Sequence, residues 1–315
     1  MGRQVDGAGD ARLGGGGVSP VARSIVDERE RQRLLPRLSE ARAPLTRQVE
    51  VVDEYGVVKP MSIPAERDLT IYVDKRELVT LMTLGAFPEW LVLGYLCNQR
   101  LIRSATEVES ITVDWEVGAA AVRTRAGIDS IEARTAHRVV TTGCGQGSVF
   151  GDLMGALDAA VLPPGPRLRQ SQLFALINTV RLKDTIYKRA GAVHACALFD
   201  GDRLQVFIED VGRHNAIDSI AGWLELQGLA VRQSAHKVFY TTGRLTSEMM
   251  IKAAQMGIGV VVSRSGMTEM GLDVAQRAGL CAIGRATHQH YYCFTHPDRL
   301  IRDVPLPARP GNRAA

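Results

Sequence analysis

Polar and apolar positions change rhythm once along this chain, and the change divides it into two regions. "DLTIYVDKREL" alternates about a polar "VDKRE" and predicts a hairpin. "PEWLVLGYLCNQRLI" predicts a helix, with Leu91, Tyr95 and Leu96 on one face and Trp90 close by. "ITVDWEVGAAAVRTRAG" alternates again, as paired strands, and "RVVTT" supplies a last strand before a glycine-rich loop. Order is expected to begin near "RQVEVVDEYG", so this α+β region runs over residues 46–165. Residues 1–45, rich in Gly, Arg, Ala and Pro and carrying the charge cluster "VDERERQR", read as a disordered extension with one short helix.

Beyond the breakers of "LPPGPRLRQ" the rhythm becomes that of layered helices and buried strands. "QLFALINTVRLKDTIY" predicts one helix, with Leu173, Leu176, Ile177 and Val180 at i, i+3, i+4 and i+7. "VHACALFDGDRLQVFIED" is a hairpin turned at "DGD", and the helix after it buries Ile217, Ile220, Ala221 and Leu224. Then "KVFYTTGRLTSEMMIKAAQMG" and "VVVSRSGMTEMGLDVAQRAG" repeat one plan: apolar strand, arginine turn, helix, closing glycine. Their apolar runs are too continuous for a half-exposed strand and imply a mixed sheet covered on both faces. "LCAIG" and "YYCFTH" add strands. The fold class is therefore α/β, an α+β N-terminal region followed by an α/β domain over residues 166–305 and a tail at 306–315.

Composition narrows the function. The 315 residues are 45% hydrophobic and 23% charged, with 38 Lys plus Arg against 34 Asp plus Glu, a formal net charge of +4. That excess is too small to point to nucleic acid and suits an anionic small ligand. No apolar run is long enough for a membrane span, and "MGRQVDGAGDARLGGGG" lacks the apolar core of a signal peptide, so the expected compartment is the cytoplasm. The five cysteines, Cys97, Cys144, Cys196, Cys281 and Cys293, include no CxxC pair, which argues against a disulfide framework or structural zinc. Four lie in or beside apolar segments and read as core residues. Cys144 lies in "TTGCGQGS", between Gly143, Gly145 and Gly147, where packing gives a thiol no reason to be. An open loop near basic groups favours the reactive thiolate, although an incidental free cysteine fits the same pattern.

Arg244 and Arg264 each follow a strand and precede a helix N-terminus, the edge at which open α/β sheets bind anions. Ser263, Thr246 and Thr268 stand beside them, as phosphate contacts or as ordinary helix caps. "EDVGRHNAID" gathers Glu209, Asp210, Arg213 and His214. Asp210 and His214 suit proton transfer or the edge of a guanine or pterin; the plainer alternative pairs Asp210 with Arg213 and makes Asn215 a cap. His194 and Cys196 lack further ligands at zinc spacing. Alternation along a strand would turn His288 and His290 to one face, near arginine and therefore suited to phosphate.

Taken in order, "LTIYVD", "PEWLVLGYLCNQRLI", "TTGCG", "GAVHACALFDGD", "EDVGRHNAID", "GRLTSEMMIKAAQMGIGVVVSRSGMT" and "FTHPDRL" resemble the FdhD family, the formate dehydrogenase accessory sulfurtransferases. The resemblance spans about residues 65–303. It implies a persulfide carrier that turns over only with partner proteins. Cys144 would take sulfane sulfur from a cysteine desulfurase and pass it to Mo-bis(molybdopterin guanine dinucleotide), before that cofactor enters the formate dehydrogenase catalytic subunit. It also implies a homodimer, and a C-terminal fold similar to that of cytidine deaminases without their zinc. The family's cofactor segment falls on Arg285, Ala286, Thr287, His288, Gln289 and His290. Two positions depart from the family: many members have CxxC in the loop where this chain has Gly147, and "RATHQH" differs from the Gly- and Lys-containing cofactor segments. The alternative function is a molybdenum-cofactor-binding chaperone without sulfur transfer. A zinc deaminase is a third reading, for which the HxE…PCxxC signature is missing.

Overall fold

The computed structural model describes residues 28–128, 167–228, 232–234 and 236–305. Cys144, its glycines and "RVVTT" lie outside the described residues, as do residues 1–27 and 306–315. β1 (Arg37–Leu38) pairs parallel with β6 (Val108–Asp114). β2 (Thr46–Val52) and β3 (Val58–Pro64) form a separate hairpin. β4 (Arg67–Val73) and β5 (Arg76–Thr83) form the hairpin read from the alternation. Asp74 and Lys75 turn it with φ of 47° and 71°, the pair of positive values that matches a two-residue turn to strand twist. With β7 (Ala119–Thr124) the first sheet has the order β1-β6-β7-β4-β5.

Part of the expected extension is built into this sheet. Besides β1, Leu35, Leu38 and Ala41 pack on its core, and buried Arg31 donates to the Glu225 carbonyl. The partners lie tens to nearly two hundred residues away, so local composition gives no sign of them.

The second region opens with β8 (Leu168–Arg169), which pairs with β15 (Leu300–Ile301). The single helix expected next is two: α2 (Gln170–Leu182) and α3 (Ile186–Ala190). The break is held from outside. The Glu209 carboxylate accepts from the Ile186 and Tyr187 amides at 2.7 and 3.0 Å, and the Thr185 hydroxyl accepts from the Lys188 amide. β9 (His194–Asp200), β10 (Arg203–Asp210), α4 (Arg213–Leu226), β11 (Lys237–Thr241), α5 (Ser247–Gln255), β12 (Val260–Ser263), α6 (Glu269–Ala278), β13 (Cys281–Thr287) and β14 (His290–Cys293) follow. Their sheet has the order β10-β9-β11-β12-β13-β14, with β11, β12 and β13 parallel and antiparallel strands on both sides. Phe199, Val238, Tyr240, Val260 and Val262 pack with α2, and Leu198, Phe239, Val261 and Ala282 pack with α4, α5 and α6. Both faces are covered, as the continuous apolar runs require.

α1 (Pro88–Asn98) joins the two regions. It is not the one-faced helix of the periodicity: Leu91, Val92, Leu93, Tyr95 and Leu96 are all buried. It also ends before "RLI", at Gln99, and Arg100 follows with φ of 58°. α1 crosses α4 at Gly94 and Gly222, where a Cβ would sit 1.7 Å from the Asp218 carbonyl oxygen and 1.9 Å from that of Trp90. Beside the crossing, fully buried Asp218 accepts from Asn98 Nδ2 at 2.6 Å and pairs with Lys252 Nζ at 2.9 Å. Burial pushes the Asp218 carboxyl up, and the Lys252 ammonium draws it back. No described helix is long and apolar enough to cross a membrane.

Candidate functional site

The C-terminal ends of β11 and β12 hold the two arginine turns, and backbone and side-chain bonds tie them into one ledge. Leu245 N–H donates to the Gly266 carbonyl at 3.0 Å, Arg264 N–H to Thr241 at 3.1 Å, and Arg285 N–H to Ser265 at 2.8 Å. Beneath the ledge opens a cavity of about 660 Å³. Its apolar and aromatic wall includes Ile177, Val180, Tyr187, Phe207 and Tyr240, and Arg181, Lys188, Arg264 and His288 bring basic groups to it. Glu209 is the carboxylate among the lining residues, and both its oxygens are committed to the start of α3. The size and make-up suit an anionic ligand with a planar ring.

Of the candidate residues singled out in the sequence, His194, Glu209, Arg264, Ala286, Thr287 and His288 line this cavity. Arg285 and His288 have φ of 50° and 51°, so β13 bulges and turns sharply there. That corrects the simple alternation of His288 with His290: His288 reaches the cavity, while the His290 ring meets Tyr292 edge-on at 4.8 Å. Arg285, Gln289 and His290 are exposed and do not line the cavity. Arg244 is also exposed and is not among the lining residues. Burial lowers the His194 pKa, and the charges of Arg213 and Arg244 lower it further.

Three of the candidates do structural work. Ser263 is fully buried, and its hydroxyl donates to the Gly243 carbonyl at 2.6 Å and accepts from Ser265 N–H at 2.9 Å, so it joins the two turns instead of facing a ligand. Asp210 accepts from Thr83 Oγ1 at 2.5 Å, Asn215 Nδ2 at 2.8 Å, and the Leu84 and Gly212 amides at 3.1 Å. It ties the end of β5 to the start of α4, and the Arg213 pairing weighed as its alternative is not formed. Asn215 donates to Asp210 and to the Met82 carbonyl, and Gly212 is the helix cap. Burial raises the Asp210 pKa against these four donors. His214 is 3% exposed, with Nε2 3.5 Å from Glu248 Oε2. Burial, then Lys252 and Arg213, drive its pKa down to about 2, so the ring is neutral and makes no ion pair at ordinary pH.

Arg213 of the same motif is buried beneath the first arginine turn. It is 7% exposed, and its stem fills the space under Gly243, where a Cβ would come within 2.8 Å of Arg213 Cδ. Its guanidinium meets no carboxylate among the described residues. At the neighbouring helix start the Thr268 hydroxyl caps α6 by accepting from Gly271 N–H, whereas Thr246 provides no such cap to α5. Arg181, Tyr187 and Lys188 were missed outright. Arg181 lies in the last turn of α2, and Tyr187 and Lys188 sit on α3 beyond the "KDT" break that Glu209 and Thr185 hold.

Comparison with known proteins assigns the family. The FdhD/NarQ family model matches residues 64–301. The sulfur carrier protein FdhD of Geobacillus kaustophilus is 30% identical over 239 residues, 76% of this chain and 90% of the relative. That of Bacillus subtilis is 30% identical over 241 residues, 75% of this chain and 88% of the relative. A crystal structure assigned as a formate dehydrogenase accessory protein, from Desulfotalea psychrophila, superposes with a TM-score of 0.65 at 26% identity, covering 82% of this chain and 100% of that one. The chain belongs to the FdhD/NarQ family.

Proposed function

We propose that this protein is a sulfur carrier in the maturation of formate dehydrogenase, with Cys144 as the sulfur-bearing thiol. The observation that supports it most directly is the cavity: a basic, aromatic-walled space at the sheet edge of a chain whose relatives are sulfur carriers. The Cys144 thiolate attacks the outer sulfur of a cysteine desulfurase persulfide, the donor cysteine leaves as a thiolate, and Cys144 holds the persulfide. The acceptor is Mo-bis(molybdopterin guanine dinucleotide), bound as cargo with its phosphates toward Arg264 and the Thr287–His288 turn and a ring system against Tyr240 and Phe207. The reaction takes place in the cytoplasm, in a homodimer, before the cofactor enters the formate dehydrogenase catalytic subunit.

Incubating the full chain with a cysteine desulfurase and cysteine is expected to add about 32 Da to the Cys144 peptide, removable by reductant. No adduct would leave a cofactor-binding chaperone as the better reading, and one confined to Cys293 would move the sulfur-bearing thiol there. The phosphate assignment is separable. Arg264→Ala should weaken GDP, a mimic of half the cofactor's nucleotide end, by roughly tenfold to a hundredfold, since a charge-assisted contact is worth about 1.5–3 kcal/mol. Unchanged affinity by calorimetry would move the phosphates away from the β12 turn.

A further inference from the structure

Cys281 and Cys293 stand at the base of the β13–β14 hairpin with their sulfurs 3.8 Å apart. Cys281 is fully buried among the residues packed on α2, and Cys293 packs against the same cluster while keeping part of its surface in solvent. Between them runs the segment from Gly284 to Tyr292, which includes the bulge at Arg285 and the turn at His288. We propose that Cys281 and Cys293 form a reversible disulfide that staples this hairpin and so fixes the wall that Ala286, Thr287 and His288 give to the cavity. The inference does not depend on which cargo the cavity takes or on Cys144.

The geometry indicates a labile bond. Ile283 is the register partner of Cys293, and Phe294 N–H donates to the Ala282 carbonyl, so Cys281 lies diagonally from Cys293 across the ladder. Diagonal Cα atoms in antiparallel strands are about 7–8 Å apart, whereas disulfides prefer about 4.4–6.8 Å. Closure to about 2.05 Å between the sulfurs must draw the strands together, and a bond made that way is easily reduced. The reaction partner is a low-molecular-weight disulfide such as oxidised glutathione. The partly exposed Cys293 attacks it as a thiolate and expels one thiol, forming a mixed disulfide. Cys281 then attacks the Cys293 sulfur, losing its proton, and the second small thiol leaves. Two protein thiols are oxidised and one small disulfide is reduced to two thiols. Cys293 is the better first nucleophile, because part of its surface meets solvent while Cys281 is fully buried.

The full chain, equilibrated with oxidised and reduced glutathione and then alkylated, tests this by peptide mapping. The expected product is a Cys281–Cys293 cross-linked peptide, lighter by about 2 Da than its reduced parts and cleaved by dithiothreitol. Amide exchange over residues 285–290 should be roughly tenfold slower in the oxidised chain. In Cys293→Ser, which replaces the less buried partner, the slowing should vanish. Both thiols remaining alkylatable, a link from Cys293 to Cys144 or Cys97, or equal slowing in Cys293→Ser would overturn the proposal.

Discussion

Cys144→Ala is expected to abolish formate dehydrogenase activity in a deletion strain complemented with this chain, while its melting temperature stays close to that of the parent. The other four cysteines sharpen the expectation. Cys196 is fully buried, donates to Thr241 Oγ1 at 3.3 Å, and is pushed up to about 12 by burial. The Cys97 thiol is raised by burial, and that of Cys281 by its hydrogen bond with Cys293 and by burial. Thiols held that far up are poor nucleophiles at neutral pH, because the thiolate is the species that attacks. Cys293 is the exception among the described residues, so Cys293→Ser is the informative companion and should keep client activity. Activity retained in Cys144→Ala and lost in Cys293→Ser would reassign the sulfur-bearing thiol. With Gly147 three residues on and no other cysteine near it in the sequence, a Cys144 persulfide has no resolving thiol within the loop. It should therefore be consumed by small thiols unless the acceptor is already bound.

Gly222→Ala should lower the melting temperature by about 6–12 °C, a loss of about 3 kcal/mol or more. The added methyl would lie 1.9 Å from the Trp90 carbonyl oxygen and 2.9 Å from the Gly94 amide nitrogen, both backbone atoms of a helix buried on all sides. A flexible side chain could turn away, but α1 can retreat only by parting from α4 and disturbing the Asn98–Asp218 bond at 2.6 Å. Gly266→Ala is the control, because nothing lies within 4 Å of its Cβ position. It should melt within about 2 °C of the parent, as surface substitutions usually shift stability by no more than about 0.5 kcal/mol. Equal melting of Gly222→Ala and Gly266→Ala would mean that the two helices cross less closely than described.

The sequence by itself determined the elements whose signals are local. The β4–β5 hairpin follows from alternation about Asp74 and Lys75. The two strand–turn–helix units follow from apolar runs and from closing glycines, Gly257 and Gly279, whose φ values of 66° and 72° suit residues without a Cβ. Arg264 was legible at the cavity edge because a turn after a parallel strand has one place to be, the ligand-binding edge of the sheet, whereas the Ala286–His288 stretch was reached through the family resemblance. Tertiary structure alone decided what depended on distant partners. It split the predicted helix at Lys183–Thr185, since Glu209 on β10 takes the free amides of α3, and that split brought Tyr187 and Lys188 to the cavity. It turned Asp210 and Ser263 from candidate ligand contacts into joints, because Thr83, Leu84 and Gly243 already occupy their oxygens. It buried α1 on every side and set Cys281 beside Cys293. Periodicity reports which face of an element is apolar, but which side chain meets which is settled only when elements far apart in the chain pack together.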